Sequence, residues 1–217
     1  MARLKVAVLI SGRGSNLQAL IDACVRRDFP AEIRLVLSNR SDAQGLGRAA
    51  QAGIPTQVIS HRDHATREEF DVALDAALQA AGVDLVCLAG FMRLLGEAFV
   101  ERWRDRLLNI HPSLLPAFRG LDTHARALAA GVRFTGCTVH FVRAAVDDGP
   151  IIVQAAVPVL PGDDSEALAA RVLAAEHRAY PLALRLIAER RIRIGDDGRV
   201  EIRGATAAAD AVFNPST

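Results

Sequence analysis

Short apolar segments alternate with amphipathic helical patterns along the first half of this chain, and this alternation limits the folds open to it. Leu4 to Ile10 is an almost uninterrupted apolar run, typical of a strand that is buried on both faces of a parallel sheet. Similar short runs lie at Ile33 to Leu37, Pro55 to Ile59 and Asp84 to Leu88. Strands separated by helices predict an α/β fold with a doubly wound, mostly parallel, Rossmann-like sheet and right-handed crossovers.

Two tetrapeptides predict where helices begin. Ser41-Asp42-Ala43-Gln44 and Thr66-Arg67-Glu68-Glu69 have the form of capping boxes, in which a side chain accepts from a free N–H group of the first helical turn. After the second box, apolar residues recur at helical spacing until Gly82. Ligands of such sheets bind at the carboxyl ends of the strands, so a site is expected in the segments that follow them.

The second half of the chain has a different pattern. Gly136 to Val142 and Ile151 to Val157 predict an antiparallel pair of strands with a long loop between them. A helix is predicted from Ser165 to about Arg190. A terminal hairpin over residues 192–202 and a loosely ordered tail over residues 205–217 complete the predicted organisation.

Composition excludes several classes of protein. Lys and Arg number 26 against 25 Asp and Glu, a formal net charge of +1, so no basic surface suited to nucleic acid is expected. The apolar runs are short and interrupted by charges, and the start of the chain lacks the apolar core of a signal peptide. We therefore expect a cytoplasmic protein with no membrane or nucleic-acid partner. Three widely spaced cysteines without a C-x-x-C pair argue against a disulfide framework or a cysteine zinc site.

The segment Ser11 to Asn16 follows the first strand and contains Gly12-x-Gly14. A glycine turn before a helix points backbone N–H groups at the space beyond the helix N-terminus, which suits a phosphate. The dinucleotide fingerprint is incomplete because Leu17 stands in place of the third glycine, and no Walker lysine is present. The pattern favours a monophosphate over NAD or ATP, with a tight connection that binds no ligand as the alternative.

Asn109 and His111 lie two residues apart in a predicted strand, so their side chains share one face. An amide N–H and an imidazolium can both donate to an oxygen that becomes negative at a tetrahedral centre, and an imidazole can transfer protons near neutral pH. The alternative is a strand end whose polar side chains satisfy loop carbonyls. These residues alone leave both interpretations open.

Two carboxylates could support such a site. Asp147 lies in a loop after the strand that carries His140, and a carboxylate beside an imidazole favours the protonated ring; Asp-Asp-Gly-Pro by itself is a common turn. Glu176 lies on the apolar face of its predicted helix, so a buried acid with a structural or ligand partner is expected. The sequence His61 to His64 has no third ligand nearby, so a solvated loop is favoured over a metal site.

Four motifs together resemble the phosphoribosylglycinamide formyltransferase family. In order along the chain they are Ser11-Gly12-x-Gly14-Ser15-Asn16, Leu88-Ala89-Gly90-Phe91-Met92-Arg93, the segment Leu108 to Pro116, and Val139-His140-Phe141-Val142 leading to Asp147-x-Gly149-Pro150. Enzymes of this family move a formyl group from 10-formyltetrahydrofolate to the amine of glycinamide ribonucleotide in purine synthesis. The motifs are in register from Val6 to about Arg190, so the resemblance is specific.

For the nucleotide, the resemblance implies binding at both the glycine turn and the long helix. Gly14, Ser15 and Asn16 would hold its phosphate and ribose. Glu176 would contact its ribose or its glycinamide end.

For the chemistry, the resemblance implies three catalytic residues, Asn109, His111 and Asp147, and a supporting His140. The neutral amine would attack the formyl carbon directly. Asn109 and protonated His111 would stabilise the oxyanion, and Asp147 would sustain the charge on His111. Protons would pass to the departing folate nitrogen, and no metal, nucleoside triphosphate or covalent enzyme intermediate would be required.

The resemblance also implies a binding site for 10-formyltetrahydrofolate as co-substrate. Its lining would comprise Arg67, Met92, Arg93, Leu94, Leu95, Asn109, Arg143, Ala144, Ala145, Val146 and Asp147. Two departures from the family pattern occur near it. The loop Arg143-Ala144-Ala145 lacks the acidic residues of many relatives, a change that a loop binding the pterin through its backbone tolerates. Arg119 replaces the usual lysine.

Two related enzymes use the same formyl-folate chemistry: methionyl-tRNA formyltransferase and formyltetrahydrofolate deformylase. Each normally carries a further domain, and we expect none here. One domain over residues 1–204 is expected, with a nucleotide-binding half over about 1–105 and a catalytic and folate half over about 106–204. A non-catalytic nucleotide-binding module is a rival from another class. Monomer and homodimer both stay open.

Overall fold

A computed structural model describes residues 2–205 and 212–215 of the protein. Strands and helices alternate up to the fifth strand, and the apolar pattern predicts this alternation as far as the fourth. The elements are β1 (Leu4–Ile10), α1 (Ser15–Cys24), β2 (Ala31–Ser38), α2 (Gln44–Gln51), β3 (Thr56–Val58), α3 (Arg67–Ala80), β4 (Leu85–Leu88), α4 (Glu97–Arg102), β5 (Leu107–His111), α5 (Thr123–Ala129), β6 (Phe134–Phe141), β7 (Ile151–Pro158), α6 (Ser165–Ala188), β8 (Ile192–Ile194) and β9 (Val200–Ile202).

Seven strands form one sheet in the order β3-β2-β1-β4-β5-β6-β7. The strands from β1 to β5 are parallel, whereas β6 runs antiparallel to both of its neighbours. β8 and β9 pair as a separate antiparallel hairpin. These pairings confirm the predicted α/β fold: a doubly wound, mostly parallel sheet with an antiparallel strand in the second half and a terminal hairpin.

The order of the strands reverses direction next to β1. The chain first builds outward from β1 to β2 and β3, and then returns to place β4 on the other side of β1. Connections that leave neighbouring strands in opposite directions open a crevice at the carboxyl ends of those strands. The glycine turn after β1 and the segment after β4 flank this crevice.

Apolar side chains pack on both faces of the sheet, which explains the uninterrupted apolar runs of the strands. One layer includes Leu17 of α1 and Tyr180 of α6, and the other includes Leu74 of α3 and Trp103 at the end of α4. Burial of apolar area, at about 25 cal/mol per Å², holds these helices on the sheet. The hydroxyl of the fully buried Tyr180 donates to the carbonyl oxygen of Leu88 at 3.0 Å, so its polar atom is satisfied.

The two predicted capping boxes have different outcomes. Thr66 caps α3 as predicted, because its hydroxyl accepts the N–H of Glu69 at 3.1 Å. The box predicted at Ser41 is wrong: α2 begins after Ala43 with no side-chain cap, and the Asp42 carboxylate pairs with Arg40 at 2.6 Å instead. The sequence pattern does not predict α4 or α5, because helices of six and seven residues are too short to show a helical period.

The tail predicted over residues 205–217 falls for the most part outside the described residues, so its loose order stays a prediction. Among the described ones, the side chain of Asn214 donates to the carbonyl oxygens of Arg133 at 2.6 Å and Val159 at 2.9 Å. These carbonyls flank the paired ends of β6 and β7.

The structure describes both the cysteines and the helices that the composition arguments concern. All three cysteines are buried and unbonded, as expected of small core residues. In the ranges that the structure describes, no helix has the length and apolar character needed to span a bilayer.

Candidate active site

The glycine turn after β1 is held by backbone packing. Gly14 precedes α1 with a φ of 71°, a left-handed conformation that residues with a Cβ rarely adopt. A Cβ at Gly14 would lie 2.7 Å from the Cα of Gly45 in α2, whose own N–H donates to the Gly12 carbonyl at 3.1 Å. The first N–H groups of α1, which begins at Ser15, have no partner inside the helix. The turn is therefore suited to an anion.

Asn16 and Glu176 form a buried pair beside this turn. They are 9% and 6% exposed, and Asn16 Nδ2 donates to Glu176 Oε2 at 2.7 Å. Burial raises the pKa of the Glu176 carboxyl, and the hydrogen bond from Asn16 partly offsets this rise. Asn16 Oδ1 finds no partner within the described part of the chain. A ligand with hydroxyl or N–H donors would satisfy these acceptors.

His111, at the end of β5, contacts two groups that lie on loops. Its Nδ1 is 3.3 Å from Asp147 Oδ2, and its Nε2 is 2.9 Å from the carbonyl oxygen of Phe118. The N–H of Gly120 donates to the same Asp147 oxygen at 2.9 Å. Phe118 and Asp147 both have left-handed backbones, with φ of 54° and 52°. Such conformations concentrate at functional sites, where surrounding structure enforces them.

Asn109 and His140 face each other across β5 and β6. Asn109 Nδ2 is 3.4 Å from His140 Nε2, while His140 Nδ1 is 2.9 Å from the carbonyl oxygen of Phe141. Since that carbonyl can only accept, Nδ1 carries the proton and Nε2 accepts from the Asn109 amide. Burial lowers the pKa of His140, against smaller opposing effects of the Phe141 carbonyl and the Asp147 charge. A neutral His140 therefore orients Asn109 and leaves its second N–H for a ligand.

The segment after β4, Met92–Leu95, has no regular secondary structure and carries apolar side chains into solvent. Met92 and Leu94 are 69% and 65% exposed, and Arg93 between them is also exposed. Because β4 pairs with β5, Leu88 at the end of β4 is level with Asn109. The segment therefore borders the strand that carries Asn109 and His111.

Arg67, at the start of α3, reaches the far end of this segment. A Cβ at Gly96 would lie 3.7 Å from Arg67 Nε. The guanidinium is half-exposed and lies 3.6 Å from the Glu68 carboxylate. The structure thus brings Arg67 and Met92–Leu95 together.

The loop from Arg143 to Asp147 reaches His111 through Asp147 but not through Arg143. The guanidinium of Arg143 donates to the Asp105 carboxylate at 2.5 Å and to the Val142 carbonyl at 3.0 Å, so this side chain is fixed beside the start of β5. Ala144, Ala145 and Val146 are exposed, and Asp147 returns to His111. The Arg143 side chain is therefore not brought to the cluster formed by Asn109, His111 and Asp147.

Three groups at this centre are absent from the sequence-based site: the Phe118 carbonyl, the Gly120 N–H and an ion pair between Arg119 and Asp148 at the rim. The first two are backbone groups, which every residue carries, so no residue type signals them. For Arg119, the sequence shows only that an arginine stands where the family usually has lysine, which does not predict an ion pair with Asp148.

The histidines around residues 61–64 pack on an aromatic ring. His61 Nδ1 lies 3.4 Å from Asn39 Nδ2, and the rings of His61 and His64 both contact Phe70. Over residues 2–205 and 212–215, no three His, Cys, Asp or Glu side chains are grouped so that they could hold a metal ion.

Known proteins are similar to this chain in sequence and fold. The family described as formyl transferase matches residues 4–184. The trifunctional purine biosynthetic protein adenosine-3 of Gallus gallus is 53% identical over 198 residues, which make up 91% of this chain and 20% of that protein. The chain thus spans about a fifth of the length of this relative. The phosphoribosylglycinamide formyltransferase of Haemophilus influenzae is 47% identical over 89% of this chain and 91% of that protein.

A solved structure supports the same grouping. The crystal structure of glycinamide ribonucleotide transformylase 1 from Symbiobacterium toebii has a TM-score of 0.90 and 52% identity, with 93% of this chain and 94% of that chain covered. The family match and the shared fold define an α/β enzyme domain of the formyl transferase type. The chain belongs to the formyl transferase family and, within it, groups with the phosphoribosylglycinamide formyltransferases.

Proposed function

We propose that this enzyme transfers the formyl group of 10-formyltetrahydrofolate to the amine of N1-(5-phospho-D-ribosyl)glycinamide. The products are the N-formyl nucleotide and tetrahydrofolate, as a step of de novo purine synthesis. Membership of the family supports formyl transfer. The observation that carries the proposal is the contact of His111 with Asp147 at 3.3 Å, beside Asn109 and at the same edge of the sheet as the glycine turn.

The nucleotide would bind at the start of α1. The N–H groups of Gly14, Ser15 and Asn16 would receive its phosphate, because a helix N-terminus favours an anion. The Glu176 carboxylate and the free Asn16 amide oxygen would accept from the ribose hydroxyls or the glycinamide end.

The folate would lie along Met92–Leu95. Its aromatic heterocycle suits exposed apolar side chains, and the backbone of an unpaired segment offers N–H and C=O groups to the polar edge of the ring. The half-exposed guanidinium of Arg67 would attract the carboxylates of the folate tail. The backbone of residues 143–147 would complete the site, since the Arg143 side chain is committed to Asp105.

Asn109 and His111 would stabilise the negative oxygen of the tetrahedral centre. Both partners of the His111 ring, the Phe118 carbonyl and the Asp147 carboxylate, can only accept, so a doubly protonated ring satisfies both contacts. Asn109 has a free N–H for the oxyanion in this conformation. His111 can donate from Nε2 only after the Phe118 carbonyl moves away, so segment 117–122 must rearrange when substrate binds.

The reaction balances without a covalent enzyme intermediate. The amine nitrogen forms a bond to the formyl carbon, and the bond from that carbon to the folate nitrogen then breaks. The attacking nitrogen loses a proton and the folate nitrogen gains one. Asp147, next to both His111 and the Gly120 N–H, would hold the ring charge and a water that carries the proton.

Release of tetrahydrofolate tests this function directly. The proposal expects release from 10-formyltetrahydrofolate only when glycinamide ribonucleotide is present, with one N-formyl nucleotide formed per tetrahydrofolate. Release of tetrahydrofolate and formate without the nucleotide would assign a deformylase. No release under either condition would refute the proposed acceptor and leave a non-catalytic module or an enzyme of the tRNA formyltransferase type.

A further inference from the structure

The segment Met92–Leu95 is held at both of its ends by buried side chains from other elements. The N–H of Met92 donates to Ser11 Oγ at 2.8 Å, and the N–H of Gly96 donates to Asp71 Oδ2 at 2.7 Å. Ser11 and Asp71 are 8% and 6% exposed, whereas most of the segment between these two bonds faces solvent. The segment is therefore an exposed stretch of chain that is fixed at each end by a hydrogen bond to a buried side chain.

The first of these points acts as an acceptor only. The Ser11 hydroxyl has one proton, which it donates to Asn39 Oδ1 at 2.6 Å. Its lone pairs are therefore directed to the N–H of Met92. The backbone N–H of Ser11 also donates to the Gly90 carbonyl at 3.2 Å, so this residue brackets the beginning of the segment with two hydrogen bonds.

The second point is a carboxylate on α3. Asp71 Oδ2 accepts from Gly96, while no partner for its Oδ1 lies within the described ranges. Burial raises the pKa of Asp71, and the Gly96 hydrogen bond and the nearby Arg67 charge partly oppose that rise. A buried charge costs stability, so the charge of Asp71 does not explain why this residue is buried here. The hydrogen bond that its carboxylate accepts from the Gly96 N–H does.

We propose that Ser11 and Asp71 are positioning residues that hold Met92–Leu95 in the shape that binds the folate. This inference rests on the proposed function. Ser11 belongs to the glycine turn by sequence, so its position alone suggests a nucleotide role, but its side chain bonds to the segment after β4. Because the segment has no secondary structure of its own, loss of either acceptor frees one end of it.

The test compares KM for the two substrates in single variants. Ser11→Ala and Asp71→Ala each remove one acceptor, and each is expected to raise KM for 10-formyltetrahydrofolate about tenfold, as fits the loss of one buried hydrogen bond. KM for glycinamide ribonucleotide is expected to change less than about twofold. Asp71→Asn keeps an oxygen for the Gly96 N–H and is expected to restore a near-normal folate KM.

Asp75→Ala is the matched control. Asp75 lies one turn further along α3 and accepts from Trp103 Nε1 and Arg102, both at 2.9 Å, so it joins α3 to the end of α4 without touching the segment. This variant is expected to lower the unfolding temperature and leave folate KM unchanged. If Ser11→Ala does not fold, Ser11→Cys replaces it, because the thiol is similar in size and is a weak acceptor. This variant is expected to raise KM for the folate more than KM for the nucleotide, by a smaller factor than Ser11→Ala.

The outcomes separate this inference from the function on which it rests. A wild-type enzyme that transfers no formyl group would refute the function. An active wild type whose Ser11→Ala variant changes both KM values equally, or changes only that of the nucleotide, would overturn the inference. An Asp71→Asn variant as impaired as Asp71→Ala would also overturn it. Folate binding would then depend on the negative charge of Asp71 and not on the hydrogen bond that its side chain accepts from Gly96. Calorimetric titration with tetrahydrofolate checks that KM reports binding.

Discussion

The glycine turn and the proposed catalytic centre lie at the same edge of the sheet but are built differently. At the turn, backbone packs on backbone: Gly14 and Gly45 are too close for any side chain, and the donors belong to a helix of ten residues. At the centre, β5 contributes Asn109 and His111, but the contacts of His111 come from the loops around Phe118 and Asp147.

This difference matches the two proposed roles, phosphate binding at the glycine turn and formyl transfer at His111. A phosphate needs donors that are fixed before it arrives, and a helix N-terminus supplies them at no conformational cost on binding. The proposed formyl transfer needs a histidine that is first held in one orientation and then donates to the oxygen that gains charge. Contacts supplied by loops can be exchanged, whereas contacts within a helix cannot. Four changes, in order of decreasing effect, test this contrast.

Replacing the proposed catalytic carboxylate should have the largest effect. Asp147→Asn keeps the size of the side chain and tolerates the left-handed backbone, but it removes the charge beside His111. Turnover is expected to fall about 10²- to 10⁴-fold with no loss of folding, measured by steady-state kinetics and circular dichroism. Asp148→Asn is the matched control, since its partner is the rim residue Arg119, and a change of only a few-fold is expected. Near-normal transfer by Asp147→Asn would remove Asp147 from the mechanism.

A side chain in the glycine turn should affect one substrate. Gly14→Val places a branched side chain at a φ of 71° and 2.7 Å from Gly45 Cα, so the turn must shift. KM for the nucleotide is expected to rise about 10- to 100-fold, and KM for the folate much less. Gly12→Ala is the control, because its Cβ meets nothing within 4 Å and it should behave nearly as wild type. Equal changes in both KM values for Gly14→Val would indicate general misfolding.

The buried carboxyl beside the turn should make stability depend on pH. Burial raises the pKa of Glu176 above its usual 4.5, so the unfolded chain loses this proton before the native protein does. The native state then loses stability as pH rises from the usual value through the raised one. Glu176→Gln removes this titration and keeps an acceptor for Asn16. Its unfolding temperature relative to wild type should therefore increase as the pH rises above 4.5, the usual pKa of a Glu carboxyl, whereas a constant difference would contradict the assigned cause.

The smallest effect is expected at the rim. Arg119→Ala removes an ion pair whose partners are 44% and 47% exposed, so at most about 1 kcal/mol and a few-fold change in turnover are expected. The change should shrink as salt is added, because exposed charges are screened. Arg193→Ala breaks a similarly exposed pair with Glu201 in the terminal hairpin and should leave turnover unchanged. Equal effects of the two variants would show that the rim pair has no link to the catalytic loops.

The same contrast explains what the sequence could predict. The strands, the parallel sheet and the glycine turn follow from local patterns, since apolar runs, helical periods and glycines act over a few residues. The burial of Glu176 followed from helical spacing alone. The capping box predicted at Ser41 is wrong because α2 begins only at Gln44, after Ala43, so Ser41 lies too far before the helix to cap it.

The proposed catalytic centre is less predictable because its contacts join distant loops. The residue types Asn109, His111 and Asp147 indicated chemistry, but no spacing could place Asp147 beside His111. The Phe118 carbonyl on His111 and the commitment of Arg143 to Asp105 depend on loop conformations that the sequence pattern does not specify. The hydrogen bond from the N–H of Met92 to the Ser11 hydroxyl is of the same kind, because it joins residues 81 positions apart.

A crystal structure of the enzyme with glycinamide ribonucleotide and a folate analogue that cannot transfer its one-carbon group tests the central contrast most directly. We expect an unchanged turn at Gly14, the contact between His111 and Asp147 retained, and the Phe118 carbonyl displaced so that His111 Nε2 faces the analogue. A Phe118 carbonyl still bound to His111 with both ligands in place, or a rearranged glycine turn, would contradict it.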